Sequence, residues 1–477
     1  MPFPTQHPLS RRAALPSLAV SLLVALTASA GPVTPTPTLA EAAGLKSNPL
    51  SFADGALTLD THFNSRFEAR DNCNDFNSAV NSPTDASWLL TRFRLGALFH
   101  PTDGFKLYVQ GQDIRELGGS RPNNVGTFGA DGDDVFDILQ AWTELGDDSR
   151  GLSLRAGRQP FNYGDQRLLG NPQWLNSTRA WDALRLRYAE ETWSLDLFSG
   201  SPVTFVNNQW NKSDFFNTHE GRDAIDSGAW FSSRTLVPWQ KQTDFFVINQ
   251  RLDKLPGAPG APLGAGGHSN VWSLGTLMKG DPAKLANWDY DFETVLQLGR
   301  AGGLSHRAFA GHGGIGYNFS GPWKPRLGVQ YNYASGDRDP TDGNSRTFQN
   351  YFPGNHALYG FMDTTGWMNL HNPQLNFSVQ PTERLKLTFD AMTFWNATNT
   401  DAWYSANTTT TVRPVNNAAR GASRYRGAEL DVNAWYKLNT HVALQAGYAC
   451  YLAGNYLART GASDNAHFGY AQLSVTF

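Results

Sequence analysis

From Leu57 onward the chain alternates apolar and polar residues with period two. Leu57, Leu59, Thr61, Phe63, Ser65 and Phe67 fall on one face, and Thr58, Asp60, His62, Asn64, Arg66 and Glu68 on the other. Successive side chains of an extended strand point to opposite sides, so the pattern specifies strands with one apolar and one polar face. It recurs with Thr91, Phe93, Leu95, Ala97 and Phe99 against Arg92, Arg94 and Gly96, and with Tyr290, Phe292, Thr294, Leu296 and Leu298 against Asp289, Asp291, Glu293 and Gln297. Eighteen such segments are predicted, from 57–70, 88–100 and 105–115, through 152–159, 179–188 and 288–299, to 441–453 and 464–477.

Alternation alone also suits a soluble β-sandwich, β-helix or propeller. The connections decide against these. Segments after even-numbered strands are short (101–104, 146–151, 189–191, 381–382, 439–440), whereas those after odd-numbered strands are mostly long (71–87, 116–134, 201–227, 338–367, 397–423). One rim with tight turns and one with long loops is the layout of an outer-membrane barrel. Many segments also exceed the ~5 to 6 residues of a soluble strand and reach the ~9 to 11 that cross a bilayer at a tilt. Closing the sheet on itself satisfies every backbone group in lipid, which an open edge cannot do. Outward-phased aromatics mark both ends, Phe99, Phe105, Trp193 and Tyr290 beside short turns and Trp272 and Trp395 beside long loops, as rings that prefer the headgroup interface should. The expectation is an all-β chain: a single transmembrane antiparallel up-and-down β-barrel of about 18 strands, with short periplasmic turns and long extracellular loops.

The remaining features place this barrel. Residues 1–30 carry Arg11 and Arg12, an apolar core from Ala13 to Leu26, and Ala28-Ser29-Ala30 before Gly31, the layout of a cleaved secretory signal. Residues 31–53 read as a flexible Pro/Thr/Ala-rich lead-in and 54–477 as the barrel. Beyond the leader no apolar run approaches the ~18 residues of a spanning helix. The last strand ends on Phe477, in phase with Val475 and Leu473, which resembles the signal by which the barrel-assembly machinery recognises its clients. Partners are therefore outer-membrane lipid, lipopolysaccharide and that machinery, with the cell outer membrane as location. One chain forms each pore, so the protein is expected to be monomeric. Net charge is −3, and −5 once Arg11 and Arg12 leave with the signal, so nothing argues for nucleic acid. Cys73 and Cys450 are too few for a disulfide scaffold and are not expected to pair, since Cys450 falls on the lipid-facing phase.

Eighteen strands enclose more room than their own side chains fill, so an aqueous channel follows. Taken literally, the alternation points Arg66, Arg70, Arg92, Arg94, Lys106, Arg155, Arg179, Arg185 and Arg187 inward from the first six strands, against Asp60, Glu68 and Glu144. Later strands point Asp196, Asp244, Asp289, Asp291, Glu293, Asp390, Glu429 and Asp431 inward. Facing basic and acidic walls set up a transverse field that favours anions along the arginine side. The bland alternative is that these residues pair and only hold the wall together.

The run Arg155-Ala-Gly-Arg158-Gln159-Pro-Phe-Asn-Tyr163-Gly164-Asp165-Gln166-Arg167-Leu168, followed by Trp174-Leu-Asn176 and Arg179-Ala-Trp-Asp182-Ala183, resembles the alginate export family of outer-membrane proteins. Trp288-Asp-Tyr290-Asp-Phe-Glu293, Tyr331-Asn-Tyr-Ala334-Ser335-Gly336-Asp337, Tyr351-Phe352-Pro353 and Gly366-Trp367-Met-Asn369-Leu370 follow in order. The resemblance spans roughly residues 88–477. It implies an eighteen-stranded barrel that passes an anionic uronic-acid polysaccharide outward through an arginine-rich constriction. Arg155, Arg158, Arg167 and Arg179, with Asp165 and Gln166, are the candidate narrowing, because the 160–180 stretch carries Gly164, Gly170 and Pro172 among polar side chains suited to folding inward. The wall arginines Arg92, Arg94, Arg185 and Arg187 complete the candidate path. The other reading of that stretch is an exposed outer cap.

Two further functional readings stay open: a general or nutrient porin for small polar or charged solutes, and an outer-membrane enzyme. The last lacks any H-E-x-x-H or G-x-S-x-G motif, and no cofactor or metal site is expected. His306 and His312 read as polar residues of the membrane interface, and Gly264–Gly267 as part of an outer loop. Two readings are open for the acid clusters Asp131, Asp133, Asp134 and Asp137, and Asp337, Asp339 and Asp342: calcium binding, since a hard cation takes several carboxylates, or solvated loop acids near lipopolysaccharide; neither cluster has the glutamate of an EF-hand.

Overall fold

The protein is described from a computed structural model covering residues 50–80, 85–119, 133–205, 210–213, 224–252, 268–408, 410–415 and 421–477. The leader, nearly all of the lead-in, Asp131 and the Gly264–Gly267 run lie outside the described residues.

Every predicted strand is present. The wall strands are β1 (Leu57–Asp71), β2 (Ala86–Thr102), β3 (Phe105–Leu117), β4 (Asp134–Gly146), β5 (Gly151–Gln159), β6 (Trp181–Ala189), β7 (Trp193–Pro202), β8 (Ile225–Ser233) and β9 (Gln240–Leu252). They continue as β10 (Ser269–Gly280), β11 (Trp288–Ala301), β12 (Leu304–Asn318), β13 (Arg326–Ala334), β14 (Leu370–Val379), β15 (Leu385–Asn396), β16 (Tyr425–Lys437), β17 (Val442–Ala453) and β18 (Ala466–Thr476). Each pairs antiparallel with the next, and β18 returns to β1 in register from His62↔Thr476 to Asp71↔His467. The terminal Phe477 completes the seam, exchanging two backbone hydrogen bonds with Thr61 at 2.9 and 3.0 Å. No wall edge is left open, so every ladder group is paired inside lipid.

The outward phase is apolar because it faces hydrocarbon rather than a core. Phe63, Phe67, Phe93, Leu95, Leu107, Val109, Leu296 and Ile315 are all exposed. Residue 179 lies outside β6, which begins at Trp181, so Arg179 belongs to the loop rather than to the wall. The short connections are 103–104, 147–150, 190–192, 234–239, 281–287, 319–325, 380–384 and 438–441; the other rim carries the loops. One connection on the loop rim is tight: Gly302 (φ 56°) and Gly303 (φ 84°) form the two-residue turn between β11 and β12, and positive φ at both positions is what such a turn demands. The described end of the lead-in also departs from expectation, since Leu50–Phe52 pairs with Leu57–Leu59 as a short extra strand.

The lumen differs most from an open aqueous channel. Phe161, Leu168, Leu169 and Trp174 of the 160–180 loop, Phe348, Tyr359, Met362 and Trp367 of the 335–369 loop, and Trp403 of the 397–424 loop are buried in one cluster with inward wall residues such as Trp181, Trp230, Phe246, Phe394 and Phe468. These loops, joined by Phe76 of the 72–85 loop and Tyr456 of the 454–465 loop, fill the outer part of the barrel with aromatic side chains. Rings of this size bury enough apolar surface to offset the ordering of long loops.

Candidate functional site: an arginine-lined, loop-filled lumen

The 160–180 loop enters the lumen from β5, reaches the far wall, and returns along β1–β3 to β6. At its far end Asp165 pairs with Lys279 of β10. Arg167 lies 3.3 Å from Glu293 of β11 and donates to the Tyr359 hydroxyl at 2.9 Å. Burial alone would push the Asp165 carboxyl up, but Lys279 and Arg167 hold it well below the usual carboxylate range. Gln166 sits between them at φ 58°; its carbonyl accepts the Gly354 amide at 2.8 Å, joining this loop to the 335–369 loop. The adjacent Leu169–Phe352 bridge and the Gly170 amide to the Phe352 carbonyl (2.8 Å) extend the junction.

The returning limb lies on the arginines of β1 and β2. Arg66 donates to the Trp174 carbonyl at 2.7 Å, with its guanidinium 3.7 Å from the Trp174 ring centre. Arg92 donates to the carbonyls of Gln173 (3.1 Å) and Leu175 (2.8 Å). Arg94 donates to Gln112 Oε1 (2.8 Å), Gln173 Oε1 (2.6 Å) and Thr178 Oγ1 (2.9 Å). The partners that hold Arg94 are neutral, so they fix its position without cancelling its charge. Arg179 closes the loop, donating to the Pro353 carbonyl at 2.7 Å. Trp174 in turn stacks on His356 of the 335–369 loop at 3.7 Å and 9°, and His356 lies 3.0 Å from Asp363.

Nearer the short turns a second basic group lines the wall. Arg155 and Arg185 stand directly opposite each other on β5 and β6, a like-charge pairing that is unfavourable on its own. Glu144 and Asp148 relieve it. Arg155 approaches them at 2.5 and 3.1 Å, Arg185 at 3.6 Å each, and Lys106 at 2.9 and 3.3 Å. Burial raises the Asp148 carboxyl, but Arg155, Lys106 and Arg185 together bring it below its ordinary value. Arg187 pairs with Asp196 at 3.2 Å. Three cations around two carboxylates leave this cluster net positive while much of the wall charge is paired.

The structure brings Asp165, Gln166, Arg167 and Arg179 together on the loop, with Arg92 and Arg94 beneath its returning limb and Arg155, Arg185 and Arg187 on the adjoining wall. Phe161, Leu168, Leu169 and Trp174 bury this stretch against the barrel interior rather than leaving it exposed at the rim. Arg158 is the exception. It registers with Ala141 and Asp182, on the same side as exposed Leu184, and binds Asp182 at 2.9 and 3.1 Å outside the lumen. His306 and His312 depart in the opposite direction. Both are buried on the inward phase of β12, against Ser345 and Gln297 and against Asn332 respectively. Of the loop acids, Asp134 and Asp137 accept hydrogen bonds from Asn211, and Arg346 bridges Asp342 (2.7 Å) and Asp337 (3.7 Å). Among the described residues no group of three or more acids, histidines or cysteines is arranged to hold a metal ion. Cys73 and Cys450 are both free thiols. Arg66, Trp174, Tyr359, His356 and Lys279 join the site without being among the candidates. Inward phase marked Arg66, but only the fold brings loops more than 150 residues apart into contact.

The model of the alginate export family matches residues 56–471. No curated protein matches the chain. Solved outer-membrane barrels share the fold at low identity. OccK2 (OpdF) of Pseudomonas aeruginosa is 12% identical with a TM-score of 0.58 over 88% of this chain and 97% of its own. OccAB1 of Acinetobacter baumannii is 12% identical with a TM-score of 0.57 over 90% and 98%. OccK11 (OpdR) of Pseudomonas aeruginosa is 14% identical with a TM-score of 0.53 over 91% and 99%.

Proposed function

The chain belongs to the alginate export family and is an outer-membrane channel; from that premise we propose that it carries a carboxylated polysaccharide outward along the arginine side of the lumen. The observation that carries this reading is the seating of the 160–180 loop on Arg66, Arg92 and Arg94. There the guanidiniums hold carbonyl, amide and hydroxyl oxygens of the loop and wall; Arg66 also pairs with Glu68 at 2.7 Å, whereas the partners of Arg94 are neutral. A uronate carboxylate is a stronger acceptor for a guanidinium than an amide oxygen is. Successive carboxylates of a polymer exchange with those loop oxygens and pass from the Arg155–Arg185 group to the Arg92–Arg94 group. Residues 1–30 act as a cleaved signal, Phe477 is read by the assembly machinery, and one chain makes one pore.

A second reading, passage of small polar or charged solutes, is favoured by the carboxylates Glu429 and Asp431 on the inward face of β16 and by the aromatic filling of the outer lumen, which leaves little width for a polymer. Block of single-channel current separates the two. Oligouronates should block at concentrations where neutral oligosaccharides and acidic amino acids do not. Equal block by amino acids, with none from oligouronates, would favour the second reading.

A further inference from the structure

On β15–β18, beside the arginines of β1 and β2, the inward face of the wall carries a different chemistry. Register places Lys386 (β15), Trp435 (β16), Gln445 (β17), Gln472 (β18) and Arg66 (β1) in one row, through Lys386↔Trp435, Trp435↔Gln445, Gln445↔Gln472 and Arg66↔Gln472. Lys386 and Trp435 stand at the ends of their strands beside the short turns, whereas Arg66 lies well inside β1. Strands of a closed barrel tilt and stagger, so such a row climbs as it crosses them. It leads from the short-turn mouth to the seat of the 160–180 loop, over four strand spacings of about 4.8 Å each.

Trp435 sets this row apart. The inward tryptophans of the other strands, Trp88, Trp142, Trp181 and Trp230, are buried, whereas Trp435 is only half-buried, as is Gln445 beside it. The exposed Lys386 ammonium lies 5.8 Å from the Trp435 ring centre, within cation–π range. Arg384, in the adjoining turn, is exposed as well. One row further in, a Cβ at Gly447 would fall 2.4 Å from the Tyr470 ring, so glycine there lets that ring lie against the wall. Tyr470 donates to Asn433 Oδ1 at 2.7 Å, accepts from Gln445 Nε2 at 2.8 Å and meets Trp174 edge-on at 4.9 Å. The 160–180 loop thus rests on Tyr470, and the accessible surface of Trp435 and Gln445 lies on its short-turn side. Two rows in, Asp390 and Asp431 face each other, with one oxygen of each held by the Asn376 amide (2.6 Å) and the Phe361 backbone amide (3.2 Å).

A pyranose ring offers one face of C–H groups and a rim of hydroxyls. An accessible indole takes that face, side-chain amides take the hydroxyls, and an ammonium beside the indole takes a carboxylate on the ring. We propose that Lys386, Trp435 and Gln445 form a binding site for one uronic-acid unit of an acidic oligosaccharide, with its C–H face on Trp435, its carboxylate on Lys386 and a hydroxyl on Gln445. The site rests on the reading of the cargo as a carboxylated polysaccharide, and adds to it where the sugar ring, as distinct from its charge, is held. Asp390 and Asp431 turn the carboxylate of the bound unit toward Lys386 and the mouth, because like charges repel.

Isothermal titration of the purified barrel in detergent tests the site, using a uronate oligosaccharide and the same oligosaccharide reduced at its carboxyls to the neutral sugar. Wild type should bind the acidic form more tightly. Trp435→Ala should weaken both forms about tenfold, since the ring face is common to them. Lys386→Gln should weaken the acidic form alone, by about two- to fivefold. Tyr436→Leu, on the outward face of the same strand, should bind as wild type. Heat-modifiable migration checks that each variant is folded. An oligouronate that blocks the wild-type channel but binds Trp435→Ala and Lys386→Gln as tightly as wild type would overturn the site and leave the cargo reading standing; one that neither binds nor blocks would overturn both.

Discussion

Arg94 and Arg158 show how much a single side chain's phase decides. Both belong to basic stretches, but Arg94 faces the lumen among neutral partners while Arg158 faces outward against Asp182. Arg94→Glu should shift selectivity toward cations, changing the anion-to-cation permeability ratio by about two- to tenfold at 0.1 M salt, whereas Arg158→Gln should leave it unchanged; reversal potentials in a planar bilayer report both. Screening length falls from ~10 Å at 0.1 M to ~3 Å at 1 M, so the Arg94 effect should shrink as salt is added. Arg167 is tied to stability as well, because removing it leaves Glu293 buried beside fewer cations. Arg167→Met should cost about 3 kcal/mol in urea unfolding from lipid vesicles. At this scale the sequence was legible wherever alternation was allowed to rule. The period that points Arg155 inward points Arg158 outward, and the fold follows the period rather than the motif that joins them.

Among elements, the 160–180 loop is the one most exposed to test. It is anchored at its far end by Asp165–Lys279 and Arg167–Glu293 and along its return by the β1–β2 arginines. Asp165→Asn should weaken the far anchor and raise mean conductance and current noise, measured on single channels, while assembly stays intact. The pH dependence has a definite sign. The folded carboxyl of Asp165 is depressed, so its contribution is fully present above the ordinary aspartate value near ~3.9 and is lost only as pH falls through the depressed one. Acidification from pH 7 to pH 5 should therefore leave the Asp165 carboxylate itself ionised. Gly164, Gly170 and Pro172 in a polar stretch make an inward fold readable from the sequence. The partners were not readable: the Trp174–His356 stack joins residues 182 positions apart, and no local pattern specifies such a contact. The aromatic filling of the lumen has the same origin, since a ring in a long loop reads alike whether it faces solvent or a neighbouring loop.

The whole molecule was legible almost throughout, because period two, strand length and the sorting of loops are all local consequences of a closed sheet in lipid. Closure itself rests on the last residues. Phe477 is bonded to Thr61 through the backbone and stacks on His441 at 4.8 Å. Deleting it should reduce the amount of heat-modifiable, membrane-inserted protein several-fold, and full assembly without it would remove the role given to the terminus. In detergent the folded barrel should run as one chain per particle by light scattering. The central claim is that conduction follows the arginine side of a loop-narrowed lumen, and the reversal potential of the wild-type channel in a potassium chloride gradient at low salt tests it most directly. Anion selectivity that collapses toward neutrality near 1 M is the predicted result; cation selectivity at low salt would contradict it and move the path to the acidic wall of β15 and β16.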